Sequence, residues 1–336
     1  MVQTKQLTIY DVAEKAGVSP TTVSRVLNTP EKVAEKKRLQ VLEVIKELNF
    51  VPKADAVINA RKSYKKIGVI APFFTQPSFM ERLRGVTEVL ADEHYELVIY
   101  SIDTSEDLTN YVSSLVVQNR VDGLILLCVN LNDRMLEYLR KASFPVCFVE
   151  LPVDDFDCIV VDNKRGGGMA AEYFYTHGCR NPGFIGEKSI LDYAVPATED
   201  RFAGFKKYFA SKGITIQPEN VWISEFTENK LDEGITGFLN QPVHPDCVFC
   251  SSDVIAARFL YMVQQKGLNC PEKIKVIGFD DIAISQYMGL SSINQHLADS
   301  GREAAHLILE RLKNPERSPV AVRLPLHIAE RMTTGN

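Results

Sequence analysis

The sequence contains no apolar run approaching the ~20 residues that a bilayer-spanning helix requires. It also lacks the signatures of several enzyme classes. No Gly-x-Ser-x-Gly elbow and no paired-histidine metal motif occurs. The run Gly166-Gly167-Gly168, at the start of an expected helix, fits neither the dinucleotide nor the phosphate-loop pattern. A non-enzymatic protein without cofactor is the reading. The opening Met1-Val2-Gln3-Thr4-Lys5-Gln6 leads into a polar amphipathic stretch and lacks the apolar core of a signal peptide. A cytoplasmic protein with no membrane association is expected.

Paired cysteines are missing too. The seven present are an odd number and several lie in apolar runs, as in Pro145-Val146-Cys147-Phe148-Val149, where a cysteine acts as a small hydrophobe. Cys247-Val248-Phe249-Cys250 has the spacing of a metal or redox pair. In a strand, however, those two positions point to opposite faces, and no second pair or histidine cluster completes a zinc site. Structural cysteines and no metal are expected.

What is present is a soluble globular composition, 45% hydrophobic and 24% charged, over 336 residues, enough for two or three domains. The net charge of −5 is unevenly spread. Residues 1–66 carry 13 Lys and Arg against 7 Asp and Glu; the remainder carries 25 against 36. A basic head on an acidic body places any nucleic-acid contact in the head.

That head reads as three helices. Thr8-Ile9-Tyr10-Asp11 has the form of a capping box, and Val12, Ala13 and Ala16 share the apolar face that follows. Gly17 ends the helix and Ser19-Pro20 starts another, with Ser19 as cap and Pro20 in the first turn. Val23, Val26 and Leu27 form its inner face, and Val41, Leu42, Ile45 and Leu48 write a third helix. Pro20, Thr21, Thr22, Ser24 and Arg25 then face outward. Short polar side chains and an arginine at a helix N-terminus suit a major groove.

Thr8-Ile9-Tyr10-Asp11-Val12-Ala13, Ala16-Gly17-Val18-Ser19 and Thr22-Val23-Ser24-Arg25-Val26-Leu27-Asn28 closely resemble the head of the lactose-repressor family. The resemblance implies that Pro20 and Thr21 select the operator, that Arg25 reads bases, and that Thr8, Tyr10, Thr22 and Ser24 contact the backbone. Ser19 and Asn28 complete the expected DNA-binding set in the head. The family's hinge helix, which wedges a leucine into the minor groove, would fall after Phe50-Val51-Pro52. Here Lys53 replaces the usual asparagine, and Asn59 stands at the wedge position with Ile58 beside it. Either Ile58 substitutes by a shift of register or the operator is bent less. Ala34 stands where a serine usually caps the third helix.

From Ile67 onward, short apolar runs alternate with amphipathic helices. About nine strand candidates, from Ile67–Ala71 to Lys275–Phe279, indicate an α/β fold with two parallel sheets covered on both faces. Ligands of such sheets bind beyond the carboxyl ends of the strands. That nominates Phe74 and Gln76 after the first strand, Ser252 and Asp253 after Val248–Cys250, and Asp280 at the end of Lys275–Phe279. Phe226 follows Val221-Trp222-Ile223. Aromatic faces with carboxylates and an arginine suit a polyhydroxylated or planar polar ligand. Asp253 and Asp281 equally fit helix N-termini, and Phe73 and Phe74 equally fit core or interface.

The body resembles the same family's effector domain, which looks like the periplasmic sugar-binding proteins, through Arg201-Phe202-Ala203-Gly204-Phe205, Ser252-Asp253-Val254-Ile255-Ala256, Val276-Ile277-Gly278-Phe279-Asp280-Asp281 and Ile293-Asn294-Gln295. The resemblance implies that Arg201 and Asp280 hydrogen-bond the effector and that Phe79 and Phe226 pack on it; Tyr193 and Gln295 complete the expected set. It implies a helix-turn-helix head at 1–50, a hinge at 51–64 and a two-lobed, dimerising effector domain at 65–336. The first lobe takes 65–164 and 295–323, the second 165–294 and 324–336, the chain crossing last near Leu324-Pro325. The partners expected are double-stranded operator DNA, a second copy of the chain, and a small effector (a sugar, sugar phosphate or nucleoside or purine). After Asn314 no leucine heptads suggest a tetramer. A sugar-binding protein without a regulatory role is the alternative; it leaves the basic head unexplained.

Overall fold

The computed structural model describes residues 7–28, 30–48, 50, 63–188, 191–225 and 228–335. The head comprises α1 (Ile9–Lys15), α2 (Pro20–Asn28) and α3 (Glu35–Leu48). At the start of α1 the Asp11 carboxylate accepts both the amide of Thr8 (2.7 Å) and its hydroxyl (2.6 Å). Gly17 takes the left-handed conformation that the turn demands (φ +61°). The Ser19 hydroxyl then accepts the Thr22 amide at 3.1 Å and so caps α2. The Gln40 amide on α3 donates to the Ala16 carbonyl (3.0 Å), which occupies an acceptor that the end of α1 leaves free. Val12, Ala13, Ala16, Val23, Val26, Leu27, Val41 and Ile45 meet in one small core, and Val117 of the body is buried with them.

The body holds two six-stranded sheets, ordered β11-β5-β4-β3-β1-β2 and β12-β10-β9-β8-β6-β7. The strands of the first are β1 (Lys66–Ala71), β2 (Glu96–Ser101), β3 (Gly123–Leu127), β4 (Val146–Glu150), β5 (Asp157–Val160) and β11 (Ala321–Arg323). Those of the second are β6 (Pro182–Glu187), β7 (Val221–Ser224), β8 (Cys247–Cys250), β9 (Lys275–Asp280), β10 (Ser291–Asn294) and β12 (His327–Ala329). Pairing is parallel except between β10 and β12. The central strands are buried from end to end, so each sheet needs helices on both faces.

In the first lobe α4 (Pro77–Asp92) and α12 (Leu297–Lys313) cover one face, and α5 (Ser105–Gln118) and α6 (Asp133–Leu139) the other. In the second, α7 (Asn163–Thr176) and α8 (Ala197–Ser211) lie opposite α9 (Glu228–Leu239) and α10 (Asp253–Gln265). A short α11 (Ala283–Tyr287) completes the α-helices among the described residues. The chain passes between the sheets after β5, after β10 and after β11. Cys247 and Cys250 pack into cores on opposite faces of the second sheet. The triple glycine is a packing device: a Cβ on Gly167 would stand 1.8 Å from the Arg201 carbonyl oxygen, and one on Gly204 1.8 Å from that of Lys164. Helices α7 and α8 therefore touch backbone to backbone.

Candidate functional site

Two regions collect the residues singled out above. In the head, Thr8, Tyr10, Ser19, Thr21 and Arg25 are exposed, Tyr10 at 68%, while Pro20, Thr22 and Ser24 are half-buried. These side chains share the outer surface of α1 and α2, opposite the Val23-Val26-Leu27 face. The Ser19 and Thr22 hydroxyls pair at 2.9 Å, which steadies the first turn of α2. Asn28 ends α2. Ile58 and Asn59 lie outside the described residues, as does Phe226.

The second region lies between the lobes, at the carboxyl ends of β4 and β9. Each of these strands ends in an acid with a positive backbone angle, Glu150 at φ +86° and Asp280 at φ +114°. A non-glycine residue held there costs on the order of 1–3 kcal/mol. Both carboxylates are buried, Glu150 at 6% exposure and Asp280 at 7%.

Around Glu150 the polar groups converge. Arg82, on α4 and only 2% exposed, donates from Nη2 to Glu150 Oε2 (3.0 Å) and to Gln295 Oε1 (3.2 Å). Arg201, on α8, lies 3.7 Å from Glu150 Oε1 through Nη2. Its Nε donates to Asn163 (2.8 Å) and its Nη1 to the Ser251 carbonyl (2.6 Å). Asn163 and the Cys128 thiol also donate to Glu150, at 3.2 and 2.8 Å. Gln295 reaches on to Asp280, and the Arg201 guanidinium lies 3.6 Å above the Phe279 ring. Burial opposes the charge on Glu150, yet the two guanidiniums hold it below the usual carboxylate range. Asp280 goes the other way: burial, against the pull of Arg201 and Arg82, pushes it up to about 6.

The remaining candidates are placed at varying distance from this network. Phe79 is buried on α4 one turn before Arg82, with its ring 6.0 Å from that guanidinium. Phe74 packs against the first-lobe core, and Gln76 precedes α4 as its cap residue. Ser252 caps α10, its hydroxyl accepting the Ile255 amide at 3.4 Å. Asp253 is wholly buried and accepts from the Ile282 amide and the hydroxyls of Ser285 and Ser292, at 3.0, 2.5 and 2.6 Å. Tyr193 packs in a first-lobe core beside the Val129–Ala194 bridge. Sequence reasoning missed Arg82, Glu150 and Asn163. The signal for Glu150 was its place at the end of an apolar strand; Arg82 gave none. Also missed was Asp122, before β3, which accepts from the Ser63 hydroxyl (2.9 Å) and from the amides of Tyr64 (3.1 Å) and Lys66 (3.3 Å). It pins the segment that enters the body from the head.

Comparison with known proteins bears on both regions. Residues 8–53 match the family described as bacterial regulatory proteins, lacI family, and residues 171–334 match a periplasmic binding protein-like domain. A protein of Pasteurella multocida named HTH-type transcriptional repressor PurR is 32% identical over 329 residues, covering 96% of this chain and 97% of its own. A crystal structure of a LacI-family regulator from Silicibacter pomeroyi superposes with a TM-score of 0.72 at 27% identity, covering 98% of this chain and all of its own. The lac repressor dimer bound to operator and an anti-inducer shares the fold, with a TM-score of 0.69 at 23% identity over 98% of this chain and 99% of its own. With a head that exposes a capped recognition helix and a body of two parallel sheets, the chain belongs to the lacI family of bacterial regulatory proteins.

Proposed function

We propose that this chain is a transcription repressor that binds a palindromic operator as a homodimer, its operator affinity set by a small metabolite held between the two lobes. The observation that carries the reading is the outer face of α2, where Thr21 and Arg25 are exposed on a helix fixed from behind by a three-helix core. An arginine so held can pair bidentately with a guanine edge, which contributes about 1–3 kcal/mol of discrimination. Pro20, Thr21 and Arg25 read bases, and Thr8, Tyr10, Ser19, Thr22, Ser24 and Asn28 hold the phosphate backbone. Residues 51–64, with Ile58 and Asn59, act as the hinge. One head contacts few bases, whereas two on a two-fold axis read both halves of a palindrome.

In the body, Arg201, Asp280 and Gln295 are the effector's polar partners, with Phe79 and Phe226 packing on it and Phe74, Gln76, Tyr193, Ser252 and Asp253 around them. The relative from Pasteurella multocida carries the name of a repressor, which supports the same reading. No helix among the described residues is long and apolar enough to cross a membrane, and a cytoplasmic site of action follows from operator binding.

Electrophoretic shift assays on operator fragments test the reading. Affinity should fall steeply with salt, by about 0.9 log unit per log unit of salt for each phosphate neutralised. Arg25→Ala should weaken specific binding on the order of tenfold or more and leave non-specific binding nearly unchanged. Specific binding indifferent to salt, or to Arg25→Ala, would sink the proposal.

A further inference from the structure

The polar network between the lobes is almost closed on itself. Each Glu150 oxygen is engaged, Oε1 by Asn163 and Arg201 and Oε2 by Arg82 and Cys128. Gln295 Oε1 is taken by Arg82, and Asp280 by Gln295. Arg82 is nevertheless left with a buried Nε that has no hydrogen-bond partner. An N–H of a guanidinium can only donate, and leaving a buried charged donor unmet is costly. A second orphan, the Ser251 hydroxyl, stands at the other end of the chain Arg82–Glu150–Arg201–Ser251. The two orphans come from opposite lobes, Arg82 from α4 and Ser251 from the residue after β8. Both Glu150 oxygens are already doubly engaged, so a molecule bound between the lobes is the candidate acceptor for Arg82 Nε.

The donor itself favours an anion: Arg82 carries a guanidinium charge, so an acceptor that bears negative charge gains a charge-assisted hydrogen bond at Nε, close to the second guanidinium, Arg201, that shares Glu150. Arg82 presents Nε beside the Nη2 already bound to Glu150, on the planar fork that pairs with carboxylates and phosphates.

We infer that Arg82 is an additional effector-binding residue, and that it selects an effector carrying a carboxylate or phosphate, an acidic derivative of a sugar or nucleoside rather than the neutral parent. The inference rests on the proposal that the cleft is the effector site. The test is titration calorimetry of the full chain with matched compounds: glucose, gluconate and glucose 6-phosphate; ribose and ribose 5-phosphate; adenosine and adenosine 5′-monophosphate. In at least one series an acidic member should bind tenfold or more tightly than its neutral partner, and gluconate against the phosphates tells which oxyanion is read. Arg82→Met should erase that preference, whatever it does to affinity for the neutral partners through Glu150 and Gln295, and Arg82→Lys should retain part of it. Both variants are checked for operator binding and thermal transition, so that a folding defect shows itself.

Neutral compounds binding as tightly as acidic ones, or a preference that survives Arg82→Met, overturns the inference while the effector reading stands. An acidic compound that binds through Arg82 without changing operator affinity keeps the subsite and overturns the effector reading. If no compound binds, both fail.

Discussion

Asp253 is wholly buried and accepts from two serine hydroxyls and one amide. Burial, with the nearby Asp280, still pushes it up to about 7 from an ordinary value of 3.8. A folded-state value above the unfolded one means that the protonated form favours folding. That contribution is complete below the unfolded value and is lost as pH rises through the folded one. Asp253→Asn mimics the protonated group, so its melting temperature relative to the parent should climb as pH rises from 5 to 8, by ~2–4 °C for each kcal/mol involved. A difference that stays flat over that range would mean that Asp253 does not titrate there. Residue by residue, the site was only partly legible in the sequence. Arg201 and Asp280 announced themselves through motif and strand end. Arg82 did not, because Glu81-Arg82-Leu83-Arg84 reads as a solvated helical face. Glu81 and Arg84 do pair near the surface at 2.7 Å, and only the packing of α4 beneath α12 and beside β4 turns Arg82 inward.

At the scale of elements, the contact of α7 with α8 sets where Arg201 stands. Gly167→Ala would drive a methyl group into the Arg201 carbonyl, and the helices must part to admit it. Such overpacking costs about 1–3 kcal/mol and moves Arg201 away from Glu150, so both thermal stability and effector affinity should fall. Gly168→Ala is the matched control. Its added carbon would meet only the Gly204 oxygen at 3.9 Å, and calorimetry should find it close to the parent in both respects. The strands buried on both faces were legible because an apolar run has few other places to go. The three short strands β10, β11 and β12 were not, their sequences being Ser-Ser-Ile-Asn, Ala-Val-Arg and His-Ile-Ala. In β10, Ser291 is buried through hydrogen bonds with Thr333, Thr334 and Arg331, and Ser292 through one with Asp253. Those partners lie far along the chain, beyond what local periodicity records.

For the whole molecule the question is how the cleft speaks to the head. Asp122 holds the segment entering the body, and it precedes β3, next to β1 and β4 in the first sheet. Asp122→Asn should leave effector affinity and bare operator affinity close to the parent. It should reduce the factor by which one alters the other, by about 0.5–2 kcal/mol of coupling; titrating operator binding at zero and saturating effector measures this, and an unaltered factor would remove Asp122 from the route. The crossings between the sheets also govern how the protein is made. Helix α12 supplies Ala304, Ala305, Leu307 and Ile308 to the first-lobe core, and β11 pairs with β5 from more than a hundred residues away. A chain emerging from the ribosome can fold its head, whose core is drawn from residues 12–50 but for Val117, while the first lobe waits with one face of its sheet partly uncovered until residues 297–323 arrive. The second lobe completes itself in that interval except for β12. The DNA-reading part is thus finished first and the part that controls it last, and the waiting apolar face is where a newly made chain is most open to aggregation.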